Sequence, residues 1–216
     1  QLSQLGSSKE GTYPHWHPSG KYIIFSTNTT RQSFYSRNPN LIEAYDLESD
    51  LVYMIWSKHS HNGSPFQRPA SFETFPAWAP DGKRLYYCTA PARQLPKRLK
   101  EIKYSICSVS FNPDNGSFGE TIDTIYTAHN KSASFPRISP DNQYLLFTES
   151  DYATFPIWHK EADLKMISLQ GSAPVDTDIL NSTDVESYHS WSSNGRWIIF
   201  SSRRLDGFTP VSLSPT

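Results

Sequence analysis

Several things are scarce in this chain, and each scarcity excludes something. Two cysteines, Cys88 and Cys107, occur in 216 residues. They are too few for a disulfide-stapled scaffold or a structural thiolate zinc site. No apolar run approaches the ~18 residues that suggest a membrane-spanning helix. Neither charge sign is in excess: 20 Lys+Arg against 21 Asp+Glu leave a net charge of −1. That excludes a strongly basic nucleic-acid binder and an acidic disordered tail. Hydrophobic residues reach only 37%, below the ~45–50% of average domains, and the deficit is in aliphatics. The sequence also lacks C-x-x-C-H, H-E-x-x-H, G-x-S-x-G and a phosphate loop. The commonest haem, zinc-protease, serine-hydrolase and nucleotide chemistries therefore have no anchor. The opening QLSQLGSSKEGT has no basic or apolar region of a signal peptide. A start without Met suits a processed or trimmed chain.

What the chain has instead is aromatic residues, 14% of the total, together with 16 Pro and 10 Gly spread along its length. Aromatics and turn residues without Ala/Leu/Glu/Lys blocks point to an all-β protein. Self-similarity sharpens this. YPHWHPSGKYIIFS from Tyr13, FPAWAPDGKRLYYCT from Phe75, FPRISPDNQYLLFTE from Phe135 and YHSWSSNGRWIIFSS from Tyr188 align, with starts 62, 60 and 53 residues apart. Each copy reads aromatic, Pro (His189 in the fourth), a variable residue, Trp (Ile138 in the third), a turn, then an apolar strand.

Each copy is a predicted β-hairpin. In His17-Pro-Ser-Gly20, Ala79-Pro-Asp-Gly82, Ser139-Pro-Asp-Asn142 and Ser192-Ser-Asn-Gly195, Pro presets φ where it is present. Asp or Asn can bond the local backbone, and Gly or Asn accepts positive φ. The strands after these turns are apolar on both faces, as expected of strands sandwiched between neighbouring sheets. Two more strands per repeat are expected between hairpins: 41–47 and 51–56, then 103–111 and 121–127, then 164–169 and 176–180. Four short strands at a spacing of 53–62 residues predict propeller blades, at about 13–56, 75–127, 135–180 and 188–202. The expectation is an arc of four-stranded antiparallel blades, three complete plus the first hairpin of a fourth. An arc has open edges through which copies could associate, and closed propellers have four to eight blades. The chain therefore reads as a piece of a longer propeller.

The pattern F/Y-P-x-W-x-P-D-G-K-x-I/L-x-F-S resembles the TolB-type, WD-like propeller repeat of bacterial envelope proteins. YHSWSSNGRWIIFSSRR is particularly similar to envelope propellers of Bacteroidetes-type bacteria. The resemblance covers the hairpin half of all four repeats. It implies a periplasmic or cell-envelope setting. It also implies a choice among binding scaffolds, propellers attached to peptidases, and sugar-acid lyases.

Antiparallel strands sort the connections onto two faces. The long ones, 27–40, 90–102, 150–163 and 202 onward, share a face opposite the short hairpin turns. Loops carry function, so this face is the expected binding face, with Arg31, Tyr35, Arg93, Arg98, Trp158 and Arg203 on its rim. Aromatic and guanidinium groups suit a protein partner or an anionic sugar. The innermost strands should bring His15, Arg137 and His189 to the central channel, where they could meet an anion or a metal. No catalytic, cofactor or metal motif is assigned, and the alternating pairs His59/His61 and Asp176/Asp178 read as solvated. The expected function is a non-catalytic binding or scaffold propeller for a protein or saccharide. The alternatives are a channel-centred sugar-acid lyase or the accessory propeller of a peptidase. Cys88 and Cys107 fall on neighbouring predicted strands, either as two buried thiols or as a cross-strand disulfide.

Overall fold

The computed structural model describes residues 11–28, 48–55, 64–66, 71–91, 101–127, 129–152, 156–205 and 211–215. The chain folds as an arc of β-propeller blades. Blade one comprises β1 (Gly11–Trp16), β2 (Tyr22–Asn28), β3 (Glu48–Ile55) and β4 (Ser64–Phe66). Blade two comprises β5 (Ser71–Trp78), β6 (Arg84–Pro91), β7 (Ser105–Asn112) and β8 (Ser117–Tyr126). Blade three has β9 (Ser132–Ile138), β10 (Tyr144–Ser150), β11 (Asp163–Ser168) and the two-residue β12 (Pro174–Val175). Blade four has β13 (Glu186–Trp191), β14 (Trp197–Ser202) and β15 (Val211–Pro215). Within each sheet the strands lie side by side in chain order and antiparallel. No helix among the described residues is long and apolar enough to cross a membrane.

The hairpin turns form for the reasons their residues suggest. Gly20, Gly82 and Gly195 sit at φ +69°, and Asn142 stands in for glycine at φ +59°. Each donates its N–H to the carbonyl three residues back, on His17, Ala79, Ser192 and Ser139 respectively. Second strands are buried on both faces: Ile24, Phe25, Leu85, Tyr87, Leu145, Leu146 and Phe147 have no exposed surface.

Alternation along each strand assigns the faces. Tyr22 and Ile24 of blade one pack on Trp78, Leu85 and Tyr87 of blade two. Ala77, Tyr86 and Cys88 pack on Ile138, Leu145 and Phe147 of blade three. Leu146 and Leu164 pack on Ile198 and Phe200 of blade four. Cys88 and Cys107 belong to different inter-blade clusters, on opposite faces of one sheet, and both are free thiols. Adjacent strands alone do not bring two Cβ atoms together; both must point to the same face.

Three elements differ from expectation. In blade one the third strand is Glu48–Ile55, so the segment 51–56 expected as a fourth strand belongs to the third, and the expected strand 41–47 lies outside the described residues. Its partner β4 lies where only a connection was expected. In blade three, residues 178–180 form a 3-10 turn, and the fourth strand is shorter and earlier. In blade four the tail supplies a third strand, β15, paired along β14 from Trp197↔Pro215 to Ser201↔Val211. The edge expected at β14 is therefore covered.

His17 locks the first two blades together. It is 3% exposed, and its Nε2–H donates to Gly82 O at 2.8 Å across the blade boundary. The ring packs among Tyr22, Trp78 and Phe111, with centroids 4.9–5.4 Å away. Gly82 is needed for more than its φ, because a Cβ there would lie 2.6 Å from the imidazole. Burial lowers the His17 pKa, with the Gly82 bond acting against the shift.

Candidate functional site

Each blade's first strand carries an irregularity at the same place. Pairing shifts register between Thr12 and His15, Thr74 and Ala77, Leu146 and Thr148 opposite β9, and Ser187 and Ser190. At that bulge the repeat's first aromatic takes a left-handed backbone: Tyr13 at φ 50°, Phe75 at 50°, Phe135 at 54° and Tyr188 at 44°. Positive φ is costly for a bulky residue, about 1–3 kcal/mol. Its recurrence in all four blades makes it part of the repeat, and the rings it gathers offset the cost. Phe75 and Phe135 have centroids 4.2 Å apart, and Tyr13 touches both, at 4.6 and 6.0 Å. Tyr188 joins Phe135 at 5.5 Å. A contact from blade one to blade three crosses the propeller axis, so these rings fill the axial region at that level. The repeated aromatic was the available signal. It passes for a core residue because sequence order does not show that four inner strands converge.

Two residues further along the inner strands stand His15 and Arg137, and His189 follows Tyr188. Arg137 couples all three: its charge depresses the pKa of both histidines. His15 is driven down to about 4, by burial first and Arg137 second, against a backbone bond at Trp16. Its Nδ1 accepts the Trp78 N–H at 3.4 Å, which puts the proton of the neutral ring on Nε2. His189 falls to about 3 for the same two reasons in the same order. Its Nε2–H donates to Leu146 O at 3.3 Å, and its Nδ1 accepts from Thr148 Oγ1 at 3.2 Å. Both nitrogens of His189 are thus committed to blade three.

Arg137 itself is half-buried, and desolvation lowers its pKa, offset by the nearby Cys88 sulfur. Its protein hydrogen bond runs to the carbonyl of its own neighbour, Pro136, at 3.0 Å. Among the described residues no carboxylate pairs with it. Residues from four blades therefore meet around a guanidinium with neutral neighbours. Charge placed this way favours an anion, because a desolvated guanidinium gains more from a carboxylate than a hydrated one does.

The long-connection face is only partly described. Arg31, Tyr35, Arg93 and Arg98 lie outside the described residues. Trp158 closes a 3-10 turn, Pro156–Trp158. Arg203 follows β14, and its N–H donates to Val185 O at 3.3 Å. Nearby, the fully buried Glu186 accepts from Ser182, Ser202 and Arg204, tying the last blade to the turn before it. His159 bonds Glu161 at 2.9 Å, and Lys131 pairs with Asp151. Among the described residues no group of three His, Cys, Asp or Glu could hold a metal.

The opposite face, that of the short hairpin turns, carries a cavity. A cavity of about 540 Å³ lies between the hairpin turns of blades three and four. Pro140, Tyr144, Met166, Val175 and Trp191 form its walls, with Asp141, Ser193 and Asn194 among its polar residues. Trp191 is oriented by Nε1–H donation to Arg137 O at 3.1 Å. The sequence signal for this site was the recurring Trp position, which Trp191 keeps in the fourth copy.

No family model and no curated protein matches the chain. Solved structures do match in fold. A puromycin-hydrolyzing peptidase of Mycobacterium tuberculosis superposes with a TM-score of 0.57 at 9% identity, over 96% of this chain and 38% of that one. A protein assigned as a 6-phosphogluconolactonase from Bacteroides uniformis gives 0.53 at 13%, over 96% and 54%. An oligogalacturonate lyase in complex with manganese gives 0.51 at 13%, over 96% and 48%. The chain thus spans about half or less of the length of each of these structures. At such identities the likeness carries the fold alone. The architecture, β-strands in successive antiparallel sheets around an axis, is that of an open arc of β-propeller blades.

Proposed function

We propose that this chain is a binding propeller without catalytic duty, whose axial Arg137 receives a carboxylate from a saccharide or protein partner. One observation carries the reading: a partly desolvated guanidinium, flanked by neutral His15 and His189, with no carboxylate of its own among the described residues. Fork-shaped recognition by arginine suits carboxylates, and the low local dielectric strengthens it. His15, protonated on Nε2, can add a neutral donor. A metal fits less well, because both His189 nitrogens are already engaged and Arg137 would repel a cation. The long connections bearing Arg31, Tyr35, Arg93, Arg98, Trp158 and Arg203 would add contacts to a larger partner. A periplasmic or envelope setting follows from the repeat's resemblance.

The test is isothermal titration with galacturonate oligomers and with an oligoglutamate peptide, against neutral galactose oligomers as control. An anionic ligand should bind, and Arg137→Gln should weaken it about tenfold or more while urea stability at pH 7.5 stays close to wild type. Equal binding of the neutral oligomer, or unchanged affinity in Arg137→Gln, refutes the reading.

A further inference from the structure

The repeat pairs the first residue of one blade's hairpin turn with the glycine position of the next blade's turn, and the sizes of the two differ at each boundary. At the first boundary His17 is large and Gly82 has no side chain. A Cβ on Gly82 would lie 2.6 Å from the imidazole, so His17 fills the space there. At the second boundary the residues are Ala79, which is small, and Asn142, which brings a side chain to the glycine position. At the third, Ser139 and Gly195 are both small. A Cβ on Gly195 would meet nothing nearer than Pro140 at 3.6 Å, an ordinary contact. Both residues line the cavity of about 540 Å³, so the opening follows from the two hairpin turns of blades three and four.

The first boundary shows which group such a space suits. The His17 imidazole stands edge-to-face between Tyr22 and Trp78, with centroids 5.4 and 4.9 Å away and planes at 86° and 79°. The equivalent residues of the third boundary are Tyr144 and Trp191, both in the cavity wall. Tyr144 is 37% exposed where Tyr22 is 4%. The bond from Trp191 Nε1–H to Arg137 O fixes the second ring. The aromatic walls thus recur, while Ser139 brings no ring between them.

Charge narrows the class of ligand. Asp141 is the one charged residue among the described residues that line the cavity. The Ser139 hydroxyl donates to its Oδ1 at 2.5 Å and the Gln143 N–H at 3.0 Å, which orients the carboxylate and lowers its pKa. A carboxylate beside two aromatic side chains attracts a cation. The volume lies within the range of small-molecule sites.

We propose that the cavity between blades three and four binds a small cationic heteroaromatic amine. Its flat ring takes the place between Tyr144 and Trp191 that His17 takes between Tyr22 and Trp78, and its ammonium group pairs with Asp141. The Tyr144 hydroxyl, which has no hydrogen bond among the described residues, can bond a ring nitrogen. The ligand is opposite in charge to the one that Arg137 would receive.

Histamine is the probe, because it joins an imidazole ring to an ammonium group. Isothermal titration into the 216-residue chain at pH 7.5 should show one saturable site with a Kd below about 1 mM. Pyrazole, a neutral ring, and propylamine, an ammonium without a ring, should each bind at least about tenfold more weakly. Asp141→Asn can keep the hydrogen bonds of the turn and should weaken histamine by about tenfold. Ser139→His should abolish binding by filling the space as His17 does. Should that variant fail to fold, Tyr144→Ala is the second test, with a loss of about tenfold expected. Absence of saturable histamine binding, equal affinity of propylamine, unchanged affinity in Asp141→Asn, full binding by a folded Ser139→His or by Tyr144→Ala, or displacement of histamine by galacturonate would each overturn the proposal.

Discussion

Acid should destabilise this protein well before its carboxylates titrate. The folded chain holds His15 at a pKa of about 4 and His189 at about 3, against 6.5 for a free histidine. The unfolded chain takes up protons below pH 6.5 and the folded chain does not, so stability is full above 6.5 and falls as pH drops toward the folded values. Each unit of separation is worth about 1.4 kcal/mol. At pH 5.0 each histidine has lost about 2 kcal/mol, together about 4 kcal/mol from a total typically near 5–15. His17, also lowered by burial, adds in the same direction. Asp141, Asp151 and Glu161 have lowered pKa values, so their contributions fade only below the ordinary carboxylate range. Asp163, raised by burial, acts in the opposite direction, so among the described groups histidine supplies the loss of stability from pH 6.5 to 5.0. Urea unfolding followed by tryptophan fluorescence at pH 7.5, 6.5, 5.8 and 5.0 gives the slope, and His189→Gln should remove a little under half of it. Arg137→Gln should flatten it less, because burial, not the arginine, is the larger cause. A stability that is flat from pH 7.5 to 5.0, or a His189→Gln protein retaining the full slope, would refute the reasoning.

Ile24→Asp and Leu146→Asp each place a charge at a position with no exposed surface between two blades. At several kcal/mol against a marginal total, either should abolish cooperative folding by circular dichroism. His17→Ala should cost about 2–4 kcal/mol, from a ring-sized void and an unsatisfied Gly82 carbonyl. Gly82→Ala should be less harmful in that background than in wild type, which a double-mutant cycle in urea would show. Blade four exposes Tyr188, Trp197 and Ile199 on the face that blades one to three cover with their neighbour. Light scattering should therefore detect self-association, reduced in a Trp197→Lys, Ile199→Lys double variant.

Where the determinants are local, the sequence settled the structure. Pro, Asp and Gly in the four turns act over three or four residues, and Asn142 in the glycine position follows the same rule. The second strands declare burial on both faces through unbroken apolar runs, which is why four-stranded blades could be expected from spacing. Contacts that require the arc to curve were not legible. Nothing near Tyr13 in the chain shows that it will meet Phe135 across the axis, or that a bulge will turn it there through positive φ. Pairing of β3 was misplaced because apolar residues 41–47 compete equally well with 48–55 when only local pattern is weighed. The opposite faces of Cys88 and Cys107, and the tail's addition to β14, depend on register, which hydrogen bonding between distant segments fixes. The site divides in the same way. His15, Arg137 and His189 could be picked as inner-strand polar residues. Only the tertiary structure commits His189 to Leu146 and Thr148, leaves Arg137 without a carboxylate partner among the described residues, and opens a cavity beside Trp191. Each of these is a relation between blades, and sequence periodicity carries no information about what a neighbouring blade presents.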